Sequence, residues 1–194
     1  MYVILLALII GIAIIFERFF AIRLRNRIDT ETFANRVIEL VRNGNLNRAL
    51  EYCNMSKAAL PKITAAGLKE MHGSVAQVQN AMELAAMVEI PKLEKRTSYL
   101  AMIGNVATLL GLLGTIFGLI GSFAAVAHAD AADKATLLTA GISLALNTTA
   151  FGLIAAIPCL IGYTYLVETT NELVDEINEN AARIFNHITP KGQR

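Results

Sequence analysis

Hydroxyl and amide side chains, set at regular intervals inside two uncharged apolar runs, are the groups whose types and spacing could do chemistry. In residues 100–126 these are Thr108, Thr115 and Ser122, each seven positions after the last. In residues 137–166 they are Thr139, Ser143 and Asn147, each four apart, followed directly by Thr148 and Thr149. A hydroxyl both donates and accepts, so it can bond a titrating group in either protonation state without adding a fixed charge. That chemistry suits the wall of an ion path, with Thr115, Thr149, Thr148, Asn147 and Ser143 as the candidate residues. The alternative for a hydroxyl is a bond to its own helix carbonyl, and for Asn147 a hydrogen bond between helices. At 100° per residue, Asn147 and Thr149 sit ~160° apart, so an unbroken helix cannot aim both at one pore. Neither run holds Asp, Glu, Lys or Arg. Ion-moving proteins normally carry ionisable groups inside the membrane. If this chain moves ions, the titrating group must come from another chain.

The same runs are rich in small residues. Gly104, Gly111 and Gly118 are seven apart, and so are Ala107, Gly114 and Gly121. A seven-residue series drifts only ~20° per step, so these positions build one coherent face. Such a face lets another helix backbone come close, and we assign the five glycines to helix packing. Pro158 removes a backbone donor and is expected to kink the second of these runs near one end.

The elements that must position these groups are membrane helices. The chain is 55% hydrophobic, with a mean hydropathy of +0.50, and its apolar residues come in blocks. A first run spans Tyr2 to about Phe20, with no basic residue before it and no small-x-small cleavage site after it. It leads into ERFFAIRLRNR, so it reads as an uncleaved anchor with Arg18, Arg23, Arg25 and Arg27 on the cytoplasmic side. Lys92, Lys95 and Arg96 put the start of the second run on that side too. The expected fold is an all-α integral membrane protein with three transmembrane helices, N-terminus out and C-terminus in. Long helices extend into a cytoplasmic helical domain. The expected segments are a first span at 1–22, a cytoplasmic helical region at 23–99, a second span at 100–127, an outer loop at 128–136, a third span at 137–167 and a cytoplasmic C-terminal helix at 168–194. That last helix gives way to a loose PKGQR tail.

Within the polar region, Asp29 or Thr30 can cap a first helix that Asn43-Gly44 ends. Asn45 can cap the second, and Pro61 suits the first turn of a third. Ser74 opens a long fourth run that Pro91 kinks or ends. No linker or low-complexity tract separates this region from the spans, so one structural unit is expected.

Composition also excludes classes. A net charge of +1 gives no basic surface for nucleic acid. Cys53 and Cys159 match no metal or redox spacing and read as packed thiols. His72, His128 and His187 are scattered, and no phosphate loop or nucleophile motif occurs, so neither catalytic residues nor a metal site is expected. Glu17, ending the first run, reads as an interfacial snorkelling charge. Glu83, Glu89, Glu94, Lys92, Lys95 and Arg96 read as solvated or inter-subunit helix charges.

The strings LLGLLGTIFGLIGSF and GISLALNTTAFGLIAAIP, with an ERF end to the first span and GNLNRALEYC in the polar region, resemble the MotA/TolQ/ExbB ion-channel family. The likeness is to the ExbB and TolQ branch more than to flagellar MotA, and it covers almost the whole chain. It implies a homopentamer in the bacterial inner membrane, multi-pass, whose loop 128–136 is periplasmic. It implies a single-span ExbD-, TolR- or MotB-like partner that supplies an aspartate for the ion. Thr115 and Thr149 match the hydroxyls near that aspartate. The expected role is a stator subunit that uses the proton motive force to do mechanical work on the cell envelope, as in TonB-dependent import or Tol-like maintenance. A TonB- or TolA-like transducer is a further implied partner, beside membrane lipid. No cofactor is implied, and the translocated ion is H+. Leu144 stands where the resembling GIxEAL string has glutamate, and Thr108 where many relatives have proline. A gliding or other specialised motor stator fits this pattern too, as does a non-conducting oligomeric scaffold.

Overall fold

The computed structural model describes residues 2–25 and 28–189, without the side chains of residues 23–25. The expected basic flank at Arg23, Arg25 and Arg27 and the PKGQR tail therefore lie outside the described residues or side chains. The described residues form eight helices and no strand: α1 (Tyr2–Arg25), α2 (Thr30–Arg42), α3 (Leu46–Asn54), α4 (Ala59–Lys69), α5 (Val75–Glu89), α6 (Pro91–Glu94), α7 (Ser98–Ala127) and α8 (Lys134–Ile188). Three of them are long and apolar enough to cross a membrane: α1, the helical stretch that ends in α7, and α8. Their large apolar side chains face outward, among them Leu6, Ile9, Leu109, Phe117, Ile120, Ile154 and Ile161. At 1.5 Å per residue α8 is about 80 Å long, far beyond the ~30 Å hydrocarbon core, so only part of it can be immersed.

The third span and the polar C-terminal helix, expected as separate elements, are one 55-residue helix with Pro158 inside it. The reason is visible in the chain. After Gly162 no Gly or Pro occurs before residue 190, so nothing stops helix propagation where the composition turns polar. The change at Val167–Glu168 marks a change of surroundings and not a helix end.

The single unit expected from the absence of a linker divides into two compact units, each assembled from two stretches. One comprises residues 1–18 and 96–166, the other residues 19–95 and 167–194. Uninterrupted helices, α1 and α8, run from one stretch to the next, and for that reason no linker appears in the sequence.

The second unit has a conventional apolar core. Phe33, Val37, Ile38, Ala49, Cys53, Leu60, Ile63, Leu68, Val78, Met82, Ile177 and Ile184 are all buried. Burial pushes the Cys53 thiol up to about 12. Asp29 caps α2 by accepting from the backbone N–H of Glu31 (3.1 Å) and Thr32 (3.2 Å). Gly44, at φ 73°, follows the helix end in the left-handed region where glycine carries no Cβ penalty. Asn45 occupies the N-cap position of α3 but makes no side-chain capping bond. Its ψ of 58° is outside the extended geometry that directs a capping side chain at the first turn. Ser74 and Gln77 form a reciprocal capping box at the start of α5. α5 ends at Glu89, and Pro91 begins α6.

One charge of the polar region, Glu89, differs from the solvated reading, and a second, Arg96, is paired while half-exposed. Glu89 is only 8% exposed and is bonded to Lys92 Nζ (2.6 Å) and Lys62 Nζ (3.0 Å). Arg96 pairs with Glu17 within the first unit. Burial pushes the Glu89 carboxyl up, but the bonds and charges of Lys92 and Lys62 outweigh it and hold the group below its ordinary value. A group lowered in this way stabilises the fold above its unfolded pKa and stops doing so as pH falls through its folded pKa. Acidification through the lower carboxylate range is expected to weaken the second unit, and Glu89→Gln to flatten that part of the profile. Helical circular dichroism against pH at fixed denaturant checks this.

Thr64, in α4, is fully buried and its hydroxyl has no hydrogen-bond partner. Removing a buried, unbonded hydroxyl relieves a desolvation cost. Thr64→Val is expected to stabilise the chain by about 1 kcal/mol, seen as a raised thermal midpoint.

Candidate functional site

The first unit is built on the contact between α7 and α8. Two of the three heptad series of α7 are chemically coupled. Thr108, Thr115 and Ser122 each donate to the carbonyl four residues back, at 3.1, 3.2 and 2.6 Å, and those carbonyls belong to Gly104, Gly111 and Gly118. About every second turn of the small-residue face thus carries a hydroxyl folded onto its own glycine, which keeps the face narrow and satisfies the hydroxyl without a second helix.

α8 packs into that face. A Cβ on Gly111 would come to 3.0 Å from Gly152 Cα, and one on Gly118 to 2.8 Å from Ala145 Cβ. Gly104 faces Leu160 and the Ala156 carbonyl, and Gly114 makes room for the methyl of Thr148. Gly141 leaves space for the Ser122 side chain in the same way. Gly121 is different: nothing lies within 4 Å of its Cβ direction, so it does not join the packing of the single chain.

The structure brings Thr115 and Thr149 together. Their hydroxyls are in direct hydrogen-bond contact across the α7–α8 seam. Thr115 also reaches the Ala145 carbonyl (3.4 Å), and Thr149 reaches the Gly111 carbonyl (3.2 Å), which Thr115 shares. Two hydroxyl protons face three acceptors: Gly111 O, Ala145 O and the other hydroxyl. One arrangement can therefore be exchanged for another, and each oxygen retains acceptor capacity for an outside donor. Both hydroxyls are half-buried. Thr115 takes the back-bond to its own helix that the sequence left open, and it meets a second helix as well.

The remaining candidates are not gathered there. Thr148 donates to the Leu144 carbonyl (3.0 Å) and packs its methyl on Gly114. Ser143 and Asn147 are exposed, and neither makes a hydrogen bond among the described residues. The 160° separation of Asn147 and Thr149 is reflected in this division, with Thr149 against α7 and Asn147 turned away. Leu144 is also exposed, at 61%. Asn105, a second amide within the uncharged runs and not among the expected candidates, is exposed on α7. Its residue type alone is a signal, since it falls outside all three heptad series.

α1 closes the unit. The Cys159 side chain fills the space at Gly11, and Ile15 that at Gly162. Among the described residues no His, Cys, Asp and Glu group is arranged to hold a metal ion.

Residues 55–179 match the model of the MotA/TolQ/ExbB proton channel family. An ExbB homolog of Methanothermobacter thermautotrophicus is 30% identical over 170 residues, covering 87% of this chain and 60% of that protein. The Tol-Pal system protein TolQ of Haemophilus influenzae is 39% identical over 95 residues, 48% of this chain and 40% of TolQ. TolQ of Pseudomonas aeruginosa is 37% identical over 86 residues, 44% of this chain and 37% of TolQ. The chain spans less than two thirds of the length of each of these relatives.

Proposed function

The chain belongs to the MotA/TolQ/ExbB proton channel family, and from this premise we propose that it is the ring-forming stator subunit of a proton-driven motor. The family is one of channels and not of enzymes. In this reading the chain lies in the bacterial inner membrane, N-terminus out and C-terminus in. Several copies, five by family likeness, surround the helices of a single-span partner of ExbD, TolR or MotB type. The partner contributes the aspartate, H+ is the ion, and the work is done on the cell envelope. A TonB- or TolA-like transducer receives it.

The observation that carries the reading is the Thr115–Thr149 hydroxyl contact, placed between two spans without a charged residue. A carboxylate brought into such a site is costly when charged and cheap when protonated. The two hydroxyls can donate to the first form and accept from the second. Each proton that crosses brings ~2.3 kcal/mol per 100 mV, enough to favour a step when a partner core and ring have mismatched symmetry. The self-associating part of the reading is supported by an apolar stripe outside the spans: Leu84, Met87 and Val88 of α5 are 57–70% exposed.

The test is purification of the chain with its associated proteins. Recovery of a single-span protein with an aspartate near the start of its span, and proton flux from the pair in vesicles, is the expected result. A stable ring that passes no protons with any such protein would leave only the scaffold role.

A further inference from the structure

We infer that Glu17 and Arg96 form a conformational latch that fixes where α7 begins. Three observations at the foot of α7 conflict with what the local sequence prefers. Arg96 has φ 70°, the one non-glycine residue with positive φ among those described. The chain there reads LEKRTS, and Leu, Glu, Lys and Arg are good helix formers without a glycine to relieve the left-handed turn. Thr97 sits at the N-cap of α7, a position where threonine normally bonds the first turn, yet it makes no capping bond. Its hydroxyl is buried without any hydrogen-bond partner, the residue being 4% exposed. A helix start with neither cap nor glycine must be held by something beyond its own sequence.

The holding contact is on the page. Arg96 Nη1 donates to Glu17 Oε1 at 2.7 Å, joining the turn to α1. Arg18 lies 3.6 Å from the same carboxylate oxygen. Glu17 therefore keeps a cation beside it when Arg96 leaves, which lowers the cost of release. Both partners of the latch are about half exposed, 49% for Arg96 and 47% for Glu17. A half-exposed ion pair contributes no more than a left-handed arginine costs, so the latch holds the turn without a margin. The joint is thus poised between two states. In the latched state α7 starts at Ser98. In the released state Lys95 and Arg96 take right-handed helical angles, and α7 gains about a turn at its N-terminus. This inference concerns the foot of α7 alone and stands whether or not the ring conducts protons.

Hydrogen exchange of the peptide covering residues 95–101, in the full-length protein in nanodiscs, reads the state directly. Arg96→Ala, which favours right-handed angles and cannot reach Glu17, is expected to slow exchange at Thr97 and Ser98 about tenfold. Glu17→Gln is expected to move exchange in the same direction. Arg96→Gly, which tolerates the left-handed turn without the latch, should keep wild-type exchange. The decisive variant is the double change Glu17→Gln with Arg96→Gly, which should return to wild type. If Glu17→Gln leaves exchange unaltered, or Arg96→Gly behaves like Arg96→Ala, the latch is wrong. Thermal midpoints of all four variants within a few degrees of wild type show that the readout is local, and a large drop in Glu17→Gln alone would equally overturn a role confined to the latch.

Discussion

Replacing Thr115 and Thr149 together by valine is expected to lower proton flux by roughly 10- to 100-fold, the range set by losing a hydrogen bond to an ionised carboxylate. Valine keeps the branched shape, so the α7–α8 packing survives and the change falls on the hydroxyls. Each single substitution should cost less than half of the double effect on a logarithmic scale. The surviving hydroxyl retains the Gly111 carbonyl as an acceptor, at 3.2 Å from either residue, and can still turn towards the ion. Serine at both positions restores the hydroxyl and should recover most of the flux. Unchanged assembly on a sizing column, with flux lost, separates this outcome from misfolding.

The second large effect lies in the same seam and concerns packing. A Cβ on Gly152 would lie 2.8 Å from Gly111 Cα and 2.9 Å from the Ala107 carbonyl oxygen. Both neighbours are backbone, so neither can rotate out of the way. Gly152→Ala is expected to force the helices apart and cost about 1–3 kcal/mol, the usual range for overpacking. Leucine there should prevent the pairing altogether. Gly121→Ala supplies the contrast. With open space at its Cβ position, it should be neutral or gain up to about 1 kcal/mol from helix propensity. Resistance to unfolding in mild detergent, followed by far-ultraviolet circular dichroism, ranks the three variants.

Much of this was legible because membrane helices expose their logic in one dimension. Charge-free runs gave the spans, and the heptad glycines marked a close face that α8 does occupy. The seven-residue interval of Thr108, Thr115 and Ser122 could not reveal that each hydroxyl bonds the glycine carbonyl four residues back, since spacing alone does not choose between a path and a back-bond. Gly121 shows the limit of periodicity: it shares the repeat of Gly114, but α8 has no atom opposite it. Long helices reaching beyond the spans were expected, but the continuity of α8 through residue 167 was not, because a change from apolar to polar residues looks like an end even when every residue continues the helix. The burial of Glu89 was equally out of local view, since one of its partners, Lys62, lies 27 positions away. Arg96 offered no local sign of its left-handed conformation, because the residues before it favour a helix and no glycine is near.

Proton flux into vesicles holding the chain together with the single-span protein that co-purifies with it tests the central claim most directly. The account predicts flux under an applied potential when both proteins are present, none from the chain alone, and none when the partner's intramembrane aspartate is changed to asparagine. Equal flux from the chain alone, or flux that persists after that aspartate is removed, would contradict it.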